Sequence, residues 1–167
     1  MKLLRWLRHR WLDEHDVRRA VGRDALERLE TRIRLSEARH TGQLRICIEA
    51  GLPLADLWHG RTSRQRAMHL FGALQMWDTE HNNGVLIYLL LADRKIEIVA
   101  DRGLSRLVRP PEWDAVIRDM SHHMHQGLWE TALGQAIDAV TDQLCRHFPV
   151  VEGQARVNEL PDKPVIL

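Results

Sequence analysis

Five oxygen-bearing side chains fall into two short windows, Asp78, Glu80, Asn82 and Asn83 in one and Asp101 in the other, with Arg102 directly after it. Carboxylate and carboxamide oxygens from separated segments are what calcium or magnesium needs, because such hard cations take about six to eight oxygen ligands. Calcium or magnesium is therefore the cofactor to which these residues point. A guanidinium beside such a site can clamp phosphate through paired N–H donors, which makes Arg102 the candidate phosphate-binding residue. A plainer reading stands beside this one: Asp78 follows a helix end, and Asn82, Asn83 and Gly84 are turn formers leading into a buried strand.

Other chemistry-bearing residues give weaker signals. His122 and His125 share a helix face, with His123 and Met124 between them, and that spacing suits a transition metal; solvated histidines near a helix end are the commoner outcome. Cys47 and Cys145 form no CxxC pattern and each lies in an apolar-patterned segment, so both read as reduced core thiols in a reducing compartment. No Ser, Cys or His stands in a context that marks a nucleophile and its base, so no catalytic residue is assigned. Neither a Gly-rich phosphate loop nor a basic-aromatic nucleic-acid surface is present.

The elements that must position these residues follow from hydrophobic periodicity. Gln43 to Ala50 alternates Leu44, Ile46 and Ile48 with Arg45, Cys47 and Glu49, the period of a strand. A helix capped by Thr62 or Ser63 carries Ala67, Leu70, Phe71, Leu74 and Trp77 on one face and stops near Asp78. Val85 to Ala92 is apolar on both faces, as in a central strand covered on each side. Asp93 and Arg94 turn the chain into Lys95 to Ala100, where Ile96, Ile98 and Ala100 alternate with Lys95, Glu97 and Val99. The first two strands with their helix make a right-handed β-α-β unit, and the hairpin brings Asp101 and Arg102 back to the edge that holds Asp78 to Asn83.

Further helices are expected before and after this unit. Asp24 and Glu27 read as a capping box for a helix burying Leu26, Leu29 and Ile33. Pro111 suits the first turn of a helix with Trp113, Val116, Ile117, Met120 and Met124, and another runs from about Leu128 to His147 with Leu133, Ala136, Ile137, Val140 and Leu144 inward. The fold class is therefore α/β: a three-layer α/β/α sandwich with a small mixed sheet, a β-α-β unit plus a β-hairpin, covered by helices on both faces.

At 167 residues, with 28% charged and 44% hydrophobic side chains, the chain suits one globular domain. Its 24 basic and 23 acidic residues leave a net charge of +1, which selects no nucleic acid or acidic partner. The longest apolar run, Val85 to Ala92, has eight residues, against roughly 20 for a membrane span. Arg5, Arg8 and Arg10 interrupt any signal-like apolar stretch, so the reading is cytoplasmic.

Residues 1–22 form a basic amphipathic segment, 23–148 the α/β/α domain and 149–167 an extended tail. In the first dozen residues Leu3, Leu4, Leu7 and Trp11 fall at helical spacing among Lys2, Arg5, Arg8, His9 and Arg10. Packing on the chain's own domain through Trp6 or Trp11 is the favoured reading; peripheral contact of residues 1–12 with a membrane surface is the alternative.

From about Ala25 to Phe148 the sequence resembles the TPM domain family, which has thylakoid and bacterial members. The resemblance rests on Asn82-Asn83-Gly84-Val85-Leu86-Ile87, then Ala92-Asp93-Arg94-Lys95-Ile96-Glu97-Ile98, then Gly103-Leu104, supported by Gly42-Gln43-Leu44 and by Ala67 with Leu70-Phe71. The chain is most similar to a cytoplasmic, bacterial-type member. The resemblance implies an α/β/α sandwich with a groove at the sheet edge, divalent-cation binding in some members and phosphatase activity in the thylakoid branch. It carries Asn82, Asn83 and the acids around Asp78 onto the groove loop. Where the family often has Gly-aromatic-Gly after the third strand this chain has Asp101-Arg102-Gly103, which adds a ligand. The usual Thr-Asp downstream is absent from Leu107-Val108-Arg109-Pro110, which removes one. Two functions are expected: a cation-binding module that engages a protein partner in a membrane-associated or envelope-maintenance process, and, as the alternative, a metal-assisted phosphoesterase.

Overall fold

A computed structural model describes residues 2–150 and 158–167, and leaves aside the side chains of residues 2–4, 110 and 119. The elements run α1 (Lys2–Trp11), α2 (Glu14–Val21), α3 (Arg23–Glu37), β1 (Gln43–Glu49), α4 (Leu54–Trp58), α5 (Ser63–Ala73), β2 (Gly84–Leu90), β3 (Lys95–Ala100), α6 (Arg102–Ser105), α7 (Pro110–His125), α8 (Trp129–His147) and β4 (Val165–Ile166).

The sheet has the order β3-β2-β1-β4. β1 lies parallel to β2, from Gln43 opposite Gly84 to Glu49 opposite Leu90, and β2 pairs antiparallel with β3, from Val85 opposite Ala100 to Leu90 opposite Lys95. Alternation along β2 divides the core: Val85, Ile87 and Leu89 join one buried cluster, whereas Leu86, Tyr88 and Leu90 join the other. The first cluster is covered by α2, α3, α7 and α8 through Val17, Leu29, Ile33, Met120, Leu133, Ile137 and Leu144. The second is covered by α4 and α5 through Leu57, Ala67 and Leu70. These are the three layers expected, and both faces of β2 are buried because each meets helices.

Local chemistry moves several boundaries. The opening segment is two helices, because Asp13 caps α2: its side chain accepts from the Asp16 amide, and the Asp16 side chain returns the bond to the Asp13 amide. The capping box expected at Asp24 is not formed, since Gly22, with φ 88°, links α2 directly to α3. Thr62 does cap α5, with Gln65 completing the box. That helix ends at Ala73, so Trp77 leaves its stripe and is 52% exposed.

Both chain ends depart further from expectation. Val165 and Ile166 add a fourth strand parallel to β1, opposite Cys47 and Ile48, so the end of the extended tail completes the sheet; residues 151–157 of that tail lie outside the described residues. Trp11 is no clamp, being 79% exposed with Leu7 at 48%; the Lys2, Leu3 and Leu4 side chains lie outside the described set. Trp6 is half-buried beside Trp58, with ring centroids 6.3 Å apart. Tryptophan is absent from the buried core of the described residues. Cys47 is buried and free, its thiol pushed up to about 12, first by burial and then by Glu49. Cys145 is also free but half-exposed, which corrects its placement in the core. No helix among the described residues is long and apolar enough to cross a membrane.

Candidate functional site

The edge at the start of β2 is built by backbone contacts between its two loops. The Asp101 amide donates to the Gly84 carbonyl at 2.9 Å, and the Gly103 amide donates to the Asn82 carbonyl at 2.9 Å. Asn82 adopts the left-handed conformation, φ 51°, which carboxamide residues tolerate and which turns its carbonyl toward this contact. Gly103 is required here, because a β-carbon would meet the Asn82 carbonyl and stand 2.7 Å from that of His81. The hairpin thus brings Asn82, Asn83, Asp101 and Arg102 to one edge, as the strand pairing anticipates.

Two of these side chains are buried with an oxygen unmatched. Asp101 caps α6: Oδ1 accepts from the Arg102 amide at 2.7 Å, and Oδ2 is buried without a hydrogen-bond donor. Asn83 donates from Nδ2 to the Thr41 hydroxyl at 3.4 Å, and its Oδ1 is likewise buried and unmatched. Asp78, Glu80 and Arg102 are exposed. Among the described residues no group of three or more His, Cys, Asp or Glu side chains is placed to hold a metal ion, at this edge or around His122, His123 and His125. His122 instead lies 3.0 Å from Gln126 and packs its ring on His123, with centroids 5.8 Å apart.

The tail adds a carboxylate that sequence reading missed. Gln43 Oε1 accepts from the Glu159 and Leu160 amides at 3.2 and 3.1 Å, and Glu159 Oε2 accepts from the Glu80 amide at 3.0 Å. No local pattern announces this, since Glu159 reaches the edge only because β4 docks on β1.

The opposite edge, around the β2–β3 turn, carries the dense polar packing. Glu49, 2% exposed, accepts from Arg66 Nη2 and from the Tyr88 hydroxyl, each at 2.6 Å. Burial, followed by the adjoining Glu49 charge, pushes the Tyr88 phenol far above its ordinary value. Arg66 also faces Asp56 at 3.5 Å, and Asp56 pairs with Arg61 at 2.8 Å. A Glu placed like a solvent-facing residue of an alternating strand gave no sign of this network, because its partners lie 17 and 39 positions away.

At the same edge α1 docks through polar groups. The Leu52 amide donates to His9 Nδ1 at 2.9 Å, so the ring proton sits on Nε2, which donates to Asp93 Oδ1 at 3.0 Å. Arg5 adds a contact to Asp93 at 2.9 Å. Burial raises the Asp93 carboxyl, but hydrogen bonds from His9 and Arg5 outweigh it and hold the group well below the usual carboxylate range. Helix and loop approach closely: a β-carbon on Gly51 would stand 2.6 Å from the His9 carbonyl.

A three-layer α/β/α sandwich with a polar edge at the start of a central strand is the class these features define. The chain belongs to the TPM domain family, whose model matches residues 17–143. Among solved structures it is similar to the BA42 protein of the psychrophilic bacterium Bizionia argentinensis, determined by NMR, at 26% identity and a TM-score of 0.72 over 86% of this chain and 92% of that one. Among curated proteins no match is found.

Proposed function

We propose that the domain is a divalent-cation-binding interaction module, with calcium or magnesium as the ion and the start of β2 as its site. One observation carries this reading: Asn83 Oδ1 and Asp101 Oδ2 are both buried and unmatched at one edge. Leaving a buried acceptor unsatisfied costs about 1–3 kcal/mol, a cost that a hard cation or its bound water at this edge would relieve. Asn83 and Asp101 would hold the ion, with Asn82, Asp78 and Glu80 around it. The ion would supply charge that fastens an acidic or phosphate-bearing surface to this edge, and Arg102, exposed beside Asp101, would reinforce it.

The module would act from the cytoplasmic side in a membrane-associated or envelope-maintenance process, through a protein partner. The phosphoesterase reading gains no observation of its own.

Calorimetric titration with calcium and magnesium tests the site. Asp101→Asn retains a helix-capping side chain while removing the charge, so it is expected to weaken cation binding about tenfold with little change in melting temperature. A wild-type chain that binds neither ion, or an Asp78→Ala, Asp101→Ala double variant that binds as well as wild type, removes the reading.

A further inference from the structure

Beside the β2–β3 turn, at the end of the sheet away from Asn83 and Asp101, α1, α2, the end of α7 and the start of α8 line an open cavity of about 710 Å³. That lies within the roughly 300–1,000 Å³ of small-molecule pockets. Its charged lining is Arg8, Arg19, Arg94 and His125 against Asp16 and Asp93.

The two carboxylates are already spoken for. Asp16 pairs with Arg19 at 3.1 Å, and Asp93 is engaged by Arg5 and His9, neither of which lines the cavity. Arg8 and Arg94 have no carboxylate partner among the described residues. Each is anchored instead by a single N–H on a backbone carbonyl: Arg8 Nη1 donates to Ala92 at 3.3 Å, and Arg94 Nη1 donates to His125 at 3.4 Å. Both side chains are exposed, and one bond each leaves most of the five guanidinium donors unspent, an arrangement that suits a phosphate group. Trp129 and Leu12 supply an apolar wall, and Trp129 opens α8, whose N-terminus has no side-chain cap and so adds favourable dipole to an anion nearby.

We infer that this cavity is a binding site for a phosphate monoester, with Arg8 and Arg94 clamping the phosphate oxygens and Trp129 packing against the organic part. Arg8 lies outside the family match at residues 17–143, so half of the clamp comes from the added N-terminal helix. The same phosphate chemistry is offered by a soluble phosphate ester and by an anionic lipid headgroup.

The experiment titrates the full chain with phenyl phosphate, with inorganic phosphate, and with phosphatidylcholine vesicles with or without phosphatidic acid, read by backbone amide shifts and by vesicle co-flotation. Saturable binding of phenyl phosphate that perturbs Arg94 and Trp129 amides assigns a soluble ester; binding only to phosphatidic-acid vesicles assigns a headgroup. In either case Arg8→Gln with Arg94→Asn is expected to weaken binding about tenfold or more, Asn being chosen because position 94 has φ 49°. Arg8→Gln alone, which leaves the turn intact, gives the same reading if the double variant does not fold. The control Arg109→Gln, an exposed cation just before α7, is expected to bind as wild type does. Failure of all three probes to saturate, or undiminished binding in Arg8→Gln, overturns the site.

Discussion

At the start of β2 the sheet has oxygens to spare, Asn83 Oδ1 and Asp101 Oδ2, whereas at the β2–β3 turn it has N–H donors to spare, on Arg8 and Arg94. The difference arises from how each end satisfies its buried charge. The turn end gives these two acids two donors each: Glu49 has Arg66 and the Tyr88 hydroxyl, and Asp93 has both Arg5 and His9. The other end packs loop against loop through backbone bonds and a glycine, which leaves its side-chain oxygens without donors. The contrast is one of degree, since Asp56 Oδ2 at the turn end is also buried without a hydrogen-bond donor. Buried unmatched oxygens of this kind tend to mark function more than stability, whereas the spare donors of Arg8 and Arg94 are on exposed side chains.

The largest expected effect tests whether the turn end is the stabilising one. Arg66→Met leaves Glu49 buried without its cation, and about 3–5 kcal/mol of stability should be lost. The readout is a lower urea midpoint at unchanged slope. A loss below about 1 kcal/mol would class the pair with surface ion pairs and dissolve the contrast.

A matched pair of glycine substitutions sharpens the comparison. Gly103→Ala and Gly51→Ala each push a methyl group into backbone, at opposite ends, and each is expected to cost about 1–3 kcal/mol. Only Gly103→Ala should also weaken calcium or magnesium binding, because it separates the loop of Asn82 from that of Asp101. Equal cation affinity in the two variants would detach the cation reading from this edge.

The smallest effect is a pH dependence. The folded Asp93 carboxyl titrates below its ordinary value of about 3.9, so the unfolded state binds its proton first as pH falls. Its contribution is therefore complete above about pH 4 and is lost as the pH falls through the folded value. Asp93→Asn should flatten the acid limb of a melting-temperature profile between about pH 5 and about pH 2. An acid limb as steep in the variant as in wild type would assign acid sensitivity to other carboxylates.

Much of the architecture was legible because its signals are local. The alternation of Leu44, Ile46 and Ile48, the unbroken run from Val85, and the Asp93-Arg94 turn each need only a few neighbouring residues to be read, and continuing the hairpin register brings Asp101 to Gly84, the residue after Asn83. The docking of α1 was legible only in part. Its spacing pointed to Trp6 or Trp11 as the anchor; Trp6 does pack, half-buried, on the second core cluster, but Trp11 is left in solvent and the helix is also held by His9 and Arg5 on Asp93. Helical periodicity assumes that the apolar stripe faces inward, and it has no means of anticipating a partly buried acid 84 positions away.

The sequence by itself determined the three strands of the β-α-β unit and hairpin, the helices that cover both faces, and the gathering of Asn82, Asn83, Asp101 and Arg102 at one edge, because period and turn chemistry are properties of short segments. Only the tertiary structure decided which of those side chains are buried with an oxygen to spare, that Glu159 reaches the same edge, and that Glu49 and Asp93 become the charged anchors of the other. The physical reason is that burial and pairing of charge depend on what the rest of the chain brings within hydrogen-bond distance, and those partners lie from 17 to 116 residues away.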